Sequence, residues 1–311
     1  MTQAKVTIVG AGHVGATAAF RLLLDGVADV VLVDVAEGIA KGKALDMMHA
    51  RSVERFRPTV VGSGDYGLAE GSDVVVVTAG LARKPGMSRD DLLESNARIV
   101  RSVVNQAVEL APEAVLLVVT NPLDVMTYLA YKESGHPPNR VLGMGGVLDS
   151  ARFAYAICDV AGAGPEEVEA VVMGAHGDKM VPVPSLSKVG GRPIRDIFDE
   201  ETVQRLLDRT VNGGAEVVAL LETGSAYYAP GVSVAKMVRA ILEDSREPLP
   251  SCVYLDGEYG ISDVYMSVPA VLGREGVVEV PEMPLDPREA EALRDSARTV
   301  ADALDSMGFR G

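Results

Sequence analysis

Short unbroken runs of valine, leucine and isoleucine punctuate the first half of the chain. They fall at Val6–Gly10, Val30–Asp34, Val74–Thr78, Ala114–Thr120 and Arg140–Met144. Between them lie stretches with apolar residues at helical spacing: Val14–Asp25, Asp90–Leu110 and Leu123–Ser134. A strand apolar on both faces must be covered on both faces, and a parallel strand needs a crossover helix to reach its neighbour. The alternation therefore predicts an α/β fold, a doubly wound parallel sheet with helices on either side.

After Gly146 the rhythm changes. A helical stretch at Leu148–Ala161 leads into an apolar run at Val168–Gly174 and a Gly-Gly hairpin at Gly190–Gly191. Two long helical patterns follow, Thr202–Leu221 and Ala226–Glu243, then strand-like segments at Cys252–Asp256, Val264–Leu272 and Val277–Val280. Pro287 opens a terminal helix of alternating charge that ends near Met307. Helices and strands segregate here, so this half reads as α+β. The 311 residues suffice for two domains, and the expected division is 1–145 and 146–311.

Composition narrows the function classes. No apolar run reaches the ~20 residues needed to span a bilayer, and the polar start before Val6 leaves no room for a leader peptide. Cys158 and Cys252 lie in apolar surroundings with no metal-ligand spacing, which predicts free thiols, no metal site and a cytoplasmic protein. The formal net charge of -15 disfavours nucleic acid and anionic membrane as partners. It also means that a site for an anion must supply its own cations locally, which directs attention to the arginines.

Gly10-Ala11-Gly12-His13-Val14-Gly15 follows a predicted strand and opens a predicted helix. A lone GxGxxG is weak evidence, but this context suits a dinucleotide. Gly10 permits the tight turn, Gly12 lets backbone approach a pyrophosphate, and Gly15 allows close helix–strand packing. Asp34, at the end of the next strand, can accept hydrogen bonds from both adenosine ribose hydroxyls. Its charge would repel a 2′-phosphate, and Val35-Ala36-Glu37 offers no basic substitute. The cofactor expected is NAD rather than NADP.

Reducing a ketone leaves a developing alkoxide that needs a proton, a task suited to histidine. Of His13, His49, His136 and His176, the first has no obvious partner and reads as a surface residue. His49 lies mid-helix and His136 precedes two prolines. His176 alone sits between glycines after a buried strand, where a side chain can enter a cleft. Its orienting carboxylate could be Asp149 or Asp178. Asp149 has the merit of standing at i, i+3 with Arg152 on one helix face, so both could serve one site.

Taken together, Gly10–Gly15, Thr78-Ala79-Gly80, Arg83-Lys84-Pro85-Gly86-Met87-Ser88-Arg89, Thr120-Asn121-Pro122, Leu148-Asp149-Ser150-Ala151-Arg152 and Gly174-Ala175-His176-Gly177-Asp178 resemble the lactate/malate dehydrogenase family along essentially the whole chain. The resemblance is strongest to the malate dehydrogenases of lactate-dehydrogenase-like type. It implies a Rossmann-type first domain, hydride transfer between nicotinamide C4 and substrate C2, and a homo-oligomer, dimer or tetramer. It makes His176 the proton donor and acceptor, Asp149 its partner, and Arg152 the clamp on the substrate's C1 carboxylate. Arg89 would polarise the C2 carbonyl from a loop, Ala79–Ser88, whose glycine and proline content suits closure. Asn121 would reach the reacting oxygen and the nicotinamide, Ser225 would line the pocket, and Thr78, Gly80 and Asn96 would join the cofactor site. Arg83 would pair with the second carboxylate of a small dicarboxylate substrate, malate or oxaloacetate; a lactate dehydrogenase would carry a neutral residue there. A dinucleotide sensor without chemistry is the contrasting reading, and such a protein would not need a proton donor.

Overall fold

The computed structural model describes residues 3–81 and 89–310. The chain divides into two compact units, the first formed by Met1–Met144, Tyr227–Glu247 and Leu272–Val278, the second by Gly145–Ala226, Pro248–Val271 and Glu279–Gly311.

The first unit is built on six parallel strands: β1 (Lys5–Val9), β2 (Asp29–Val33), β3 (Val60–Ser63), β4 (Val74–Val77), β5 (Val115–Val118) and β6 (Val141–Gly143). Their spatial order is β3-β2-β1-β4-β5-β6. Val6 lies in register with Val30 on one side and Val74 on the other. The central strands are buried on both faces, which is why they read as continuous valine and leucine. Around them lie α1 (His13–Leu24), α2 (Glu37–Glu54), α3 (Arg89–Leu110) and α4 (Leu123–Ser134). The chain leaves β1 towards β2 and β3, then returns to β4 on the opposite side. Loops at the carboxyl ends of β1 and β4 therefore diverge, leaving a crevice at the point where the winding reverses.

α2 and β3 were absent from the expected elements. The buried stripe of α2 is only Ala40, Ala44 and Met47, so its hydrophobic periodicity is faint beside its many polar residues. β3 carries two valines followed by Gly62 and Ser63, too short a run to announce a strand.

The second unit opens with α5 (Gly146–Ala161), followed by β7 (Val168–Glu169), β8 (Val172–Gly174), β9 (Met180–Pro182), β10 (Lys188–Val189), β11 (Arg192–Pro193) and α6 (Glu200–Leu221). The chain then contributes α7 (Tyr228–Leu242), which packs on α1 within the first unit. Next come β12 (Pro248–Asp256), β13 (Ser262–Gly273), β14 (Gly276–Glu279) and α8 (Pro287–Ser306). Within the second unit, β12-β13-β8-β9 form an antiparallel ladder, and β11-β10-β7 form a small sheet turned at Gly190–Gly191.

The apolar run Val168–Gly174 is two strands rather than one. Val168 pairs with β10 and Val172 with β9, so successive halves of the run serve different sheets. Phe153, Ala156 and Ile157 of α5 form a core with Val172, Met180, Ile194 and Leu206. The start of α8 is fixed by Pro287 in its first turn and by Asp286, whose side chain accepts hydrogen bonds from the N–H groups of Arg288 and Glu289. No helix among the described residues is long and apolar enough to cross a membrane.

Candidate active site

In the first unit a cavity of ≈ 540 Å³ opens beside β1 and β4, with Gly10, Gly12, Asp34, Tyr66, Thr78 and Gly80 among its lining residues. Gly10 takes φ +110°, and a Cβ there would sit 2.5 Å from Thr78 Oγ1. At Gly15 a Cβ would lie 2.0 Å from the Gly10 carbonyl oxygen, so α1 starts hard against the turn. No side chain caps the N-terminus of α1. Its first N–H groups thus offer the partial positive charge that anions seek.

Asp34 accepts a hydrogen bond from the Ala11 N–H at 2.7 Å through Oδ2 and one from the Ala36 N–H at 2.8 Å through Oδ1. Each oxygen keeps a further lone-pair direction, and the carboxylate borders the cavity. Burial first, and then the Asp34 charge, raise the Tyr66 phenol above the ordinary tyrosine value. Thr78 donates towards the carbonyls of Val9 and Gly10 at 3.1 and 3.0 Å, locking the β1 and β4 ends together.

Asn96 is 1% exposed. Its Oδ1 accepts from the Leu81 N–H at 2.7 Å, and its Nδ2 donates to the Asn121 carbonyl at 2.7 Å. This side chain holds the ends of two strand loops and is not among the cavity's lining residues. Asn121 itself is exposed. The glycine and carboxylate donor set suits a dinucleotide: room for backbone to meet a pyrophosphate, and an acceptor for ribose hydroxyls.

The second unit holds Asp149, Arg152 and His176. Asp149 lies in the first turn of α5, where the helix dipole favours a carboxylate, and Arg152 stands one turn later. Asp149 Oδ2 meets His176 Nδ1 at 2.8 Å, and Asp149 Oδ1 accepts from Arg152 Nη1 at 3.0 Å. The carboxylate is almost fully buried, while the His176 and Arg152 side chains are 15% and 20% exposed. One buried anion therefore orients two groups that each keep a partly open edge. With the carboxylate on Nδ1, that nitrogen carries the hydrogen and Nε2 is turned away from Asp149. Asp178 is exposed.

Three hydroxyls keep this arrangement in place, none of them evident from local sequence pattern. Ser150 Oγ accepts from the Val172 N–H at 2.9 Å, tying α5 to β8. Ser267 Oγ accepts from the Gly146 N–H at 3.0 Å, tying the start of α5 to β13. Ser296 on α8 accepts from the Ala175 N–H and donates to the Lys179 carbonyl, both at 2.8 Å, closing the loop that carries His176. Arg152 is also packed from below by α6. A Cβ at Gly213 would sit 3.4 Å from Arg152 Cδ, and one at Gly214 3.4 Å from Nη2. Glycine inside a helix costs about 1 kcal/mol against alanine, and here the open space is filled by the arginine.

The remaining expected residues are placed less fully. Ser225 is exposed just after the bend that follows α6. Arg89 is the first residue of α3, whereas Arg83 and Lys84, with most of the expected closing loop, lie outside the described residues. His13 is not partnerless: its ring lies 4.8 Å from that of Tyr227. Cys158 is half-buried and Cys252 buried, and neither is in a disulfide.

Residues 4–143 match the lactate/malate dehydrogenase NAD-binding domain, and residues 146–308 match the α/β C-terminal domain of the same enzymes. The chain belongs to the lactate/malate dehydrogenase family. Within that family it is 50% identical to a malate dehydrogenase of Synechocystis sp., over 97% of this chain and 93% of that protein. It is 48% identical to a malate dehydrogenase of Heliobacterium modesticaldum over 99% of this chain and 100% of that protein. Among solved structures, malate dehydrogenase from Salinibacter ruber superposes with a TM-score of 0.94 at 46% identity, covering 98% of this chain and 97% of that one. Lactate dehydrogenase from Cryptosporidium parvum, complexed with lactic acid and nicotinamide adenine dinucleotide, also gives 0.94, at 38% identity over 98% of this chain and 99% of that one. Equal superposition on both enzymes means that the backbone does not separate malate from lactate.

Proposed function

We propose that this chain is an NAD-dependent malate dehydrogenase interconverting (S)-malate and oxaloacetate. The observation that carries the reading is Asp149, a buried carboxylate bonded at once to His176 and Arg152. A sensor would gain nothing from an oriented acid beside an oriented guanidinium, whereas reduction of a 2-oxo acid uses both. NADH, when bound, supplies the hydride to the substrate's C2.

Everything else falls to the chain. The expected division at 145/146 separates the dinucleotide-binding part from the substrate part except where Tyr227–Glu247, with α7, and Leu272–Val278 return to the first unit. Gly12 offers its backbone to the pyrophosphate, while Gly10 makes the turn and Gly15 brings α1 against it; Thr78 and Gly80 lie beside them, and Asp34 takes the ribose hydroxyls and disfavours NADP. Asn96 acts by positioning Leu81 and Asn121 rather than by touching cofactor. Arg152 pairs with the C1 carboxylate through its planar fork. His176 delivers its Nε2 proton to the C2 oxygen as the alkoxide forms, and in the reverse direction removes it. Asp149, bonded to Nδ1, holds the ring with Nε2 towards the substrate and places a carboxylate beside the imidazolium. Arg89 polarises the C2 carbonyl, Asn121 orients it, Ser225 borders the pocket, and Arg83 pairs with the second carboxylate. The 48–50% identity to enzymes named malate dehydrogenase supports the dicarboxylate, as does the presence of arginine at position 83. We place the enzyme in the cytoplasm as a homo-oligomer acting on a small molecule, without metal, nucleic acid or membrane.

The direct test is to mix the protein with NADH and oxaloacetate and follow NADH absorbance. Steady oxidation supports the enzyme reading. NADH binding without turnover would leave a sensor in its place.

A further inference from the structure

Lys43, in the middle of α2, donates from Nζ to the Ala11 carbonyl oxygen at 2.6 Å. In a chain of net charge -15 a half-buried lysine would ordinarily seek a carboxylate. None among the described residues forms an ion pair with it; its ammonium is directed at backbone in the glycine turn.

The peptide geometry gives that contact a consequence. In a trans peptide the C=O and the following N–H point in opposite directions. The Gly10–Ala11 peptide is held at both ends: its N–H donates to Asp34 Oδ2, and its carbonyl accepts from Thr78 Oγ1. The next peptide, Ala11–Gly12, has its carbonyl on Lys43, which turns the Gly12 N–H the opposite way. Gly12 lines the cavity, and a Cβ there would meet nothing within 4 Å. The helix that presents Lys43 is itself fixed: α2 approaches β3 so closely that a Cβ on Gly62 would lie 2.3 Å from the Ala40 carbonyl.

We propose that Lys43 is a positioning residue for the dinucleotide, setting the Ala11–Gly12 peptide so that its N–H serves the pyrophosphate. This rests on the cavity being the NAD site. The lysine also places a positive charge beside a group that will be anionic when occupied, adding to the helix N-terminus.

The test is calorimetric binding of NADH, ADP-ribose and adenosine to the wild-type chain and to the Lys43→Met and Lys43→Arg variants. The methionine variant should lose about tenfold in affinity for ADP-ribose and NADH, the scale of one charge-assisted hydrogen bond. Adenosine, which has no pyrophosphate, should bind as before, and the KM for NADH should rise with the dissociation constant. Lys43→Arg, which keeps a charged donor, should stay within about threefold of wild type. Equal ADP-ribose affinity in wild type and Lys43→Met would overturn the proposal, and so would a parallel loss for adenosine, since that marks general damage to the cavity. A wild-type chain that binds none of the three would overturn the cofactor reading beneath it, a result distinct from either.

Discussion

Replacing Asp149 by asparagine keeps the shape of the side chain and removes its charge, so it isolates what the carboxylate does. In the native arrangement its two oxygens accept one hydrogen bond each, from His176 Nδ1 at 2.8 Å and from Arg152 at 3.0 Å. An amide has one acceptor oxygen. If that oxygen stays on Arg152, the NH₂ group faces Nδ1, and a ring protonated at Nδ1 then meets donor against donor. One charge-assisted bond is lost, worth about 1.5–3 kcal/mol. At tenfold per 1.4 kcal/mol this is about a 10- to 150-fold fall in kcat/KM for oxaloacetate. The burial of Asp149 means that little water is available to soften the loss.

The pH profile carries the sharper signature. Oxaloacetate reduction uses the imidazolium, and the carboxylate favours that form, so its removal makes the ring give up its proton at lower pH. The alkaline limb of the reduction profile should therefore move to lower pH in Asp149→Asn, measured by NADH oxidation across a buffer series. A limb that stays in place or moves to higher pH would refute the pairing, whatever the loss in rate.

His176→Asn removes the titratable acid altogether, and should lower kcat by about 10²- to 10⁴-fold while NADH still binds; turnover near wild type would mean that the proton travels by another route. Asp34→Ser should weaken NAD and narrow its preference over NADP, through loss of ribose hydrogen bonds and of charge repulsion, and competition binding of the two cofactors would read both effects. His136 bears on stability rather than catalysis. It is buried, its Nε2 has no hydrogen-bond partner, and burial, then the nearby Arg140 charge, depress it below the ordinary imidazole value of 6.5 against the opposing pull of Glu113. Below that value the unfolded chain binds a proton that the native site resists, so folding stability is lost as pH falls. Urea unfolding at about pH 7.5 and about pH 5.5 should show a steeper loss in wild type than in His136→Leu, and equal slopes would count against this assignment.

What was legible in the sequence was what local pattern encodes. The valine runs marked β1, β2, β4 and β5 because strands buried on both faces admit little else, and the glycine turn was placed by the strand before it and the helix after it. Asp149 and Arg152 were readable as partners because i, i+3 residues share a helix face. The choice between Asp149 and Asp178 was not settled by spacing, since contact with His176 depends on how α5 lies against β8. Ser296 stands 121 positions from the N–H it receives, and nothing near it in sequence marks that role. The role of Gly213 and Gly214 shows only once Arg152 is seen lying over them. Lys43 belongs to α2, the helix whose narrow alanine and methionine stripe escaped the periodicity.

The central claim, a dehydrogenase for a dicarboxylate rather than for a monocarboxylate, rests chiefly on Arg83, which lies outside the described residues. The measurement that tests it most directly is the ratio of kcat/KM for oxaloacetate to that for pyruvate, taken with NADH in wild type and in Arg83→Gln. A buried second carboxylate left without its cation costs ~2–5 kcal/mol, so the substitution should lower activity on oxaloacetate by roughly 30- to 4000-fold. Activity on pyruvate should hold or rise. A wild-type preference for pyruvate, or a switch produced by Lys84→Gln and not by Arg83→Gln, would contradict the substrate assignment.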